Sequence, residues 1–274
     1  MFCAGLLLAT PLLTGAQTLY NGSLDTLPEN QGWTYAALGS ATETLTGNTV
    51  MLDTTASTST EAGWSEVSPE DLNRTNGFTL QFTLQMNSET HTSTNRSGFS
   101  IIVLGDDKSG IELSFWTNTI FAESDSPLFT QAENVSFVTT GSLISYNLTL
   151  LATSYILTAN GATILSGPIR NYTAFSGFPD PYSTPDFLFF GDNTSSASAS
   201  FNVGALTLIF PPQLTITAPS VISWTGVSNE TYTVQSSTNL TTWSGAGTAT
   251  SQNNSFAFTN SASPAKQFFR VVAP

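Results

Sequence analysis

What this 274-residue sequence has little of narrows it first. It holds one cysteine, Cys3, inside an N-terminal apolar stretch. A lone thiol forms no intramolecular disulfide, so the fold must be stable through burial alone, and thiolate chemistry is not expected. Histidine is equally scarce: His91 stands alone. Zinc sites built on several His or Cys ligands are thereby excluded, and a one-histidine Ser-His-Asp triad has no supporting motif. Basic residues number 6 against 19 acidic ones, a formal net charge of −13. Nucleic-acid binding needs a basic stripe to displace counterions, and none can be assembled, so no nucleic-acid partner is expected. The same deficit argues against docking on anionic lipid. Charged residues are only 9% of the chain, far below the usual quarter, so Ser, Thr, Asn and Gln must supply the polar surface. No apolar run is long enough to span a bilayer, and the C-terminal Phe268–Pro274 stretch carries no anchor signal, so no transmembrane segment is expected.

Hydrophobic residues make up 40% and aromatics 11% of the chain, enough for a packed core. Residues 1–16 read as a signal peptide: an apolar run from Leu6 to Leu13, then small residues Thr14-Gly15-Ala16 before Gln17. No Lys or Arg precedes the run, a departure from the usual leader; the alternative is a buried first strand. Export to the cell surface or the medium is the corresponding expectation.

Beyond it the pattern is that of strands. Phe78, Leu80, Phe82, Leu84 and Met86 alternate with Thr79, Gln81, Thr83 and Gln85, the signature of a sheet with one buried and one wet face. Strands are also expected at Phe99–Leu104 and Ile111–Trp116, joined by a polar turn, and at Ile144–Leu150. Tyr155–Ala159 and Ala162–Leu165 flank Asn160-Gly161, a strong hairpin signal. Asp186–Phe190 and Phe201–Phe210 complete the set. Helix signals are nearly absent; Ser68-Pro69-Glu70-Asp71-Leu72 reads as one capped turn. Many short strands separated by turns indicate an all-β antiparallel sandwich. Pro211-Pro212 marks a boundary, after which five short strand candidates and the aromatics Trp224, Tyr232, Trp243, Phe256, Phe258 and Phe269 point to a small β-sandwich module over 211–274.

Residues 17–210 resemble the concanavalin A-like jelly roll in its laminin G-like variants. The likeness rests on Tyr146-Asn147-Leu148-Thr149, the Asn160-Gly161 hairpin, Gly167-Pro168 and Phe190-Gly191-Asp192-Asn193. The stretch Ser97–Leu104 followed by Gly110–Trp116 is similar to bacterial "choice-of-anchor" surface proteins. The tail resembles a short fibronectin-III-like module of exported bacterial proteins, through Trp224, Tyr232–Ser237, Asn239-Leu240, Trp243 and Phe268–Val272. These resemblances imply a jelly-roll fold and an attachment, sorting or spacer role for the tail.

Few residues are placed for chemistry. Jelly-roll glycosidases use paired carboxylates on one strand face, and no Glu-x-Asp-x-x-Glu strand occurs; Glu61 and Glu66 are too far apart, and Glu70-Asp71 falls in the expected helical turn. One constellation stands out. By alternation Glu112, Ser114 and Trp116 share a face opposite Ile111, Leu113 and Phe115, and the preceding segment carries His91 and Arg96. Arg96 is expected to pair with Glu112 as a structural ion pair beside an ordinary surface aromatic; the alternative has Trp116 and His91 flanking the pair in a concave groove that holds sugar. Asp106, Asp107 and Asp192 are loop carboxylates that could ligate a structural calcium, which laminin G-like relatives often hold, or could simply form turns. Asn-x-Ser/Thr matches occur at ten positions, Asn21 to Asn253, and fit chance in a Ser/Thr/Asn-rich bacterial chain better than glycosylation. The expectation is a non-enzymatic secreted or surface protein that binds extracellular glycan or a cell-envelope component, or is structural or adhesive. The alternative is a polysaccharide-active enzyme, such as a glycoside hydrolase, or its carbohydrate-binding accessory.

Overall fold

The computed structural model describes residues 15–211, 214–217, 221–226, 229–252, 255–260 and 267–272. The expected leader thus lies outside the described residues as far as Thr14. The chain divides into two compact units, one spanning Gln17–Ile209 and one taking in Phe210–Pro274. No helix among the described residues is long and apolar enough to cross a membrane.

The larger unit is an antiparallel jelly-roll sandwich. One sheet runs β13 (Ala162–Pro168), β12 (Ser154–Ala159), β11 (Ile144–Leu151), β6 (Phe78–His91), β15 (Ala197–Ile209), β4 (Thr49–Asp53) and β3 (Thr42–Thr46), with β1 (Ala16–Asn21) also paired to β15. The other runs β10 (Leu128–Ser136), β9 (Thr119–Asp125), β8 (Gly110–Phe115), β7 (Ser100–Leu104), β14 (Phe187–Asp192), β5 (Glu61–Val67) and β2 (Thr34–Leu38). The alternation along Phe78–Met86 decides which face is buried. Phe82 and Tyr146 are register partners and stack at 5.1 Å. Both meet Phe115 of the opposing sheet edge-on, at 6.2 and 5.5 Å. The polar residues between them face outward and bond across strands: Thr79 with Thr149 at 2.8 Å, and Gln81 to Asn147 at 3.1 Å. Trp33, Trp64 and Phe190 fill the other end of the interior, with Trp64 stacked on Phe190 at 4.9 Å.

The β12–β13 hairpin turns at Asn160 and Gly161, whose φ angles of 49° and 83° are both left-handed, as a tight two-residue turn between right-twisted strands requires. The helical turn expected at Ser68–Leu72 does not form. Ser68 Oγ accepts the Glu70 N–H at 3.2 Å, and the Leu72 N–H is taken by Asp186 Oδ1 at 2.9 Å rather than by a carbonyl within the turn. With Leu72 fully buried, tertiary anchoring overrides the local capping signal.

The smaller unit carries two three-stranded sheets. One has β16 (Leu214–Thr217), β17 (Val221–Thr225) and β20 (Ser255–Thr259); the other has β19 (Ser244–Thr250), β18 (Thr231–Ser237) and β21 (Phe268–Val272). Its core is Ile222, Trp224, Tyr232, Val234 and Phe256, with Trp224 stacked on Phe256 at 5.7 Å and Tyr232 edge-on to it at 4.8 Å.

Candidate functional site: the outer face of the seven-stranded sheet

Because Trp64 and Phe190 are register partners pointing into the core, period-2 alternation sends Glu61, Gly63 and Ser65 of β5, and Phe187, Phe189 and Gly191 of β14, to the outer face. On β8 the same rule sends Glu112 and Ser114 outward. The outward residues of β9 are Phe121 and Glu123, since Ser114 pairs with Phe121 and the next outward pair in that register is Glu112 with Glu123.

The segment between β13 and β14 crosses this face and divides it in two. It is pinned at Arg170, whose backbone exchanges hydrogen bonds with Gly110 at 2.9 and 2.8 Å. Tyr172 and Tyr182 then pack on Ile102 and Leu104, joined by Phe129 and Phe175. Over β8 and β9 the face is filled; over β14, β5 and β2 it stays open.

Under the filled half lies a buried polar cluster. Arg96 Nη2 stands 3.5 Å from Glu112 Oε1, and Arg96 Nη1 stands 3.7 Å from Glu123 Oε1. Arg96 also donates to Asn193 Oδ1 at 3.0 Å and lies 4.8 Å above the Phe129 ring. Glu112 receives the Tyr182 hydroxyl at 2.5 Å and the Asn193 amide at 2.9 Å. Glu123 receives Ser114 Oγ at 2.8 Å. Both glutamates are completely inaccessible. Burial, and after it the Glu112 carboxylate, pushes the Glu123 carboxyl up to about 8. At neutral pH the Glu123 carboxyl therefore favours its protonated form, beside the Arg96–Glu112 ion pair. Burial works against the Arg96 charge, but the two glutamates outweigh it and raise its pKa. Burial, then Glu112, likewise lifts Tyr172 and Tyr182 well above 10, so both stay neutral.

The open half is a pocket of about 450 Å³. Phe187 and Phe189 rise from β14, Phe175 and the Phe178–Tyr182 stretch form one wall, and Ala36–Leu38 of edge strand β2 form the other. Arg96 and Asn193 close the end nearest the buried cluster. Two glycines let β14 and β5 approach here. A Cβ on Gly191 would fall 2.4 Å from Gly63 Cα, and one on Gly63 would strike the Phe189 ring at 2.6 Å. Asp192 also borders the pocket, but its buried carboxylate accepts Thr54 Oγ1 at 2.6 Å and the Thr194 N–H at 3.2 Å. Burial raises its pKa to about 8.

The structure brings the expected Arg96–Glu112 pair together but corrects its setting. Glu112 lies beneath the tyrosines and not at a groove surface. His91 and Trp116 do not flank the pocket: they stack on each other at 4.1 Å, with Trp116 Nε1 donating to the Arg96 carbonyl at 2.9 Å. Trp116 sits just past the end of β8, on the far side of the filled half, which is why a shared face did not mean a shared site. The three aspartates expected as metal ligands do not converge. Asp106 and Asp107 sit in the β7–β8 turn, where Asp106 accepts Asn73 Nδ2 at 3.1 Å and Asp107 pairs with Arg74. Asp192 follows the residue paired with Ser100, at the opposite end of β7. Among the described residues no three His, Cys, Asp or Glu side chains gather as a metal site. Sequence reasoning missed Glu123, Tyr182 and Asn193. For Glu123 a signal existed: a two-residue turn at Thr117-Asn118 sets it opposite Glu112.

No protein-family model matches the sequence, and no curated protein is significantly similar to it. Among solved structures it is similar to the carbohydrate esterase vb_24B_21 from the Shiga toxin-encoding bacteriophage phi24B, at 11% identity over 72% of this chain and 99% of that one, with a TM-score of 0.51. Weaker likenesses include the Emp46p carbohydrate recognition domain, at 11% identity over 70% of this chain and 95% of that one, with a TM-score of 0.42. A family 7 alginate lyase, A1-II′, follows at 14% identity over 72% and 95%, with a TM-score of 0.43. At such identities a likeness speaks to fold alone. The class is therefore an antiparallel jelly-roll β-sandwich, followed in the chain by a small β-module.

Proposed function

We propose that this is an exported, non-enzymatic protein that binds extracellular glycan in the pocket over β14, β5 and β2. The observation that carries the reading is the division of the outer face. The carboxylates best placed for paired acid–base work, Glu112 and Glu123, are sealed under Tyr172 and Tyr182, where no substrate reaches them. What stays open is an aromatic-lined pocket with a few polar groups, the usual make-up of a binding site. The fold shared with a protein named as a carbohydrate esterase agrees with a glycan partner. Export rests on the leader-like residues 1–16. The Trp224–Tyr232–Phe256 core in two small sheets agrees with a fibronectin-III-like attachment module.

The test is a glycan-array screen of the full chain beside Ala36→Trp, an exposed position on the pocket wall. Glycans retained by the wild type and lost by the variant support the reading. Equal retention by both would place binding elsewhere and overturn it. A second reading, a polysaccharide-active enzyme, draws on Asp192, which borders the pocket and whose carboxyl burial raises to about 8, suiting a general acid. New reducing ends released from a polysaccharide panel by the wild type, and not by Asp192→Asn, would favour it.

A further inference from the structure

Resting on the glycan reading, we propose that the pocket holds an uncharged sugar through an apolar substituent, an alkyl or acyl chain, and not through the hydroxyls of an unsubstituted ring. The polar groups at the pocket are almost all committed internally. The Asn193 amide is used at both ends, by Arg96 and Glu112. The Tyr182 hydroxyl goes to Glu112, and Asp180 Oδ1 accepts the Tyr182 N–H at 3.0 Å. Asp192 serves Thr54 and Thr194. Among the described polar residues of the lining, Glu61, Ser65 and Thr184 are those whose side chains make no internal hydrogen bond. A sugar ring sunk into such a wall would leave most of its hydroxyls unpaired, each at a full desolvation cost.

The apolar wall, by contrast, is unspent. Phe178 is fully exposed at one lip and Leu38 is 62% exposed at the other, with Phe175, Phe187 and Phe189 between them. Large apolar side chains exposed around a cavity gain by covering a chain of matching chemistry. Charge adds a second restriction. Arg96 is the one basic residue of the lining, and it already faces Glu112 and Glu123. The other titratable side chains of the lining are acidic: Glu61, Asp180 and Asp192, the last with its carboxyl raised to about 8 by burial. The one cation of the lining that an anionic sugar would meet is Arg96, already paired with Glu112. The ring of a bound glycoside would rest at the mouth, within reach of Glu61 and Ser65, with its substituent inside.

The experiment is a calorimetric series on the full chain with methyl, butyl, hexyl and octyl β-D-glucopyranosides and galactopyranosides below micellar concentration, with hexyl β-D-glucuronide and 1-hexanol as controls. Affinity should rise about fourfold per methylene until the chain fills the pocket. The glucuronide should bind at least tenfold more weakly than hexyl glucoside. Phe178→Ser with Leu38→Ser, both exposed changes that leave the core intact, should flatten the series. Equal affinity across chain lengths, with methyl glycosides and plain oligosaccharides bound, would overturn the substituent and leave glycan binding standing. Tighter glucuronide binding would overturn the charge argument. Binding of 1-hexanol as tight as that of hexyl glucoside would refute the sugar itself, and the glycan reading with it. No binding by any probe would refute the proposal, and the array result would then decide the glycan reading separately.

Discussion

Arg96→Met removes the cation that faces two buried glutamates while keeping much of the side-chain volume against Phe129. In the folded protein Arg96 lies 3.5 Å from Glu112 and 3.7 Å from Glu123, and the Glu123 carboxyl already favours its protonated form at neutral pH. The variant therefore strands one buried carboxylate, Glu112, with hydrogen bonds from Tyr182 and Asn193 but no countercharge. Breaking a buried pair from one side costs about 3–5 kcal/mol. For a unit of this size about 2–4 °C of Tm is lost per kcal/mol, so the larger unit should melt roughly 6–20 °C lower at pH 7. Differential scanning calorimetry reads this, with urea unfolding as the independent measure. The double variant Arg96→Met/Glu112→Gln should recover at least about 2 kcal/mol, because it removes the stranded charge; a double-mutant cycle gives the coupling. A Tm drop below 2 °C for the single variant, or no recovery in the double, would show that water reaches the cluster and that the tyrosine cover does not seal it.

Glu123 carries its own pH signature. A folded-state pKa of about 8 against about 4.3 in an unfolded chain means the folded state holds the extra proton between those values, so stability falls as pH rises through that window. Glu123→Gln should match the wild type near pH 4.5 and melt higher above pH 8; parallel Tm–pH curves for the two proteins would contradict the assignment. Gly191→Ala places a Cβ 2.4 Å from Gly63 Cα at a φ of +150° and should destabilise the larger unit by about 2 kcal/mol or more, read by urea midpoint, whereas an unchanged midpoint would mean that β14 and β5 separate freely. His91→Ala removes the stack on Trp116 and the 3.0 Å partner of the buried Glu89 carboxyl; it should cost about 1–3 kcal/mol and leave affinity for pocket ligands within twofold. A tenfold loss of affinity would restore His91 and Trp116 to the site.

Much of the fold could be read locally. The Phe78–Met86 alternation named its buried face, and Asn160-Gly161 named its turn, because both depend on neighbours two to four residues away. The Arg96–Glu112 pair was also legible, since an acid inside an apolar strand needs a partner and basic residues are scarce. Strands β1 to β5, β9, β10 and β19 carry no assignment from sequence; Ala, Ser, Thr and Gly dominate several of them, so their alternation is faint. The open pocket was invisible for a different reason. Its floor joins β5 to β14, residues more than 120 positions apart in the chain, and its wall is the β13–β14 connection, where no periodicity says which aromatics fold inward.

What the sequence by itself determined is a strand-rich, acidic chain with a single cysteine and one acid–base pair on a sheet face. Those follow from composition, from a period of two, and from the cost of an unpaired charge in an apolar strand. Only the tertiary structure decided that the pair is sealed and the pocket lies beside it. Closing one half of a sheet face depends on where a long connection lands, and that is set by packing between residues the chain order keeps far apart.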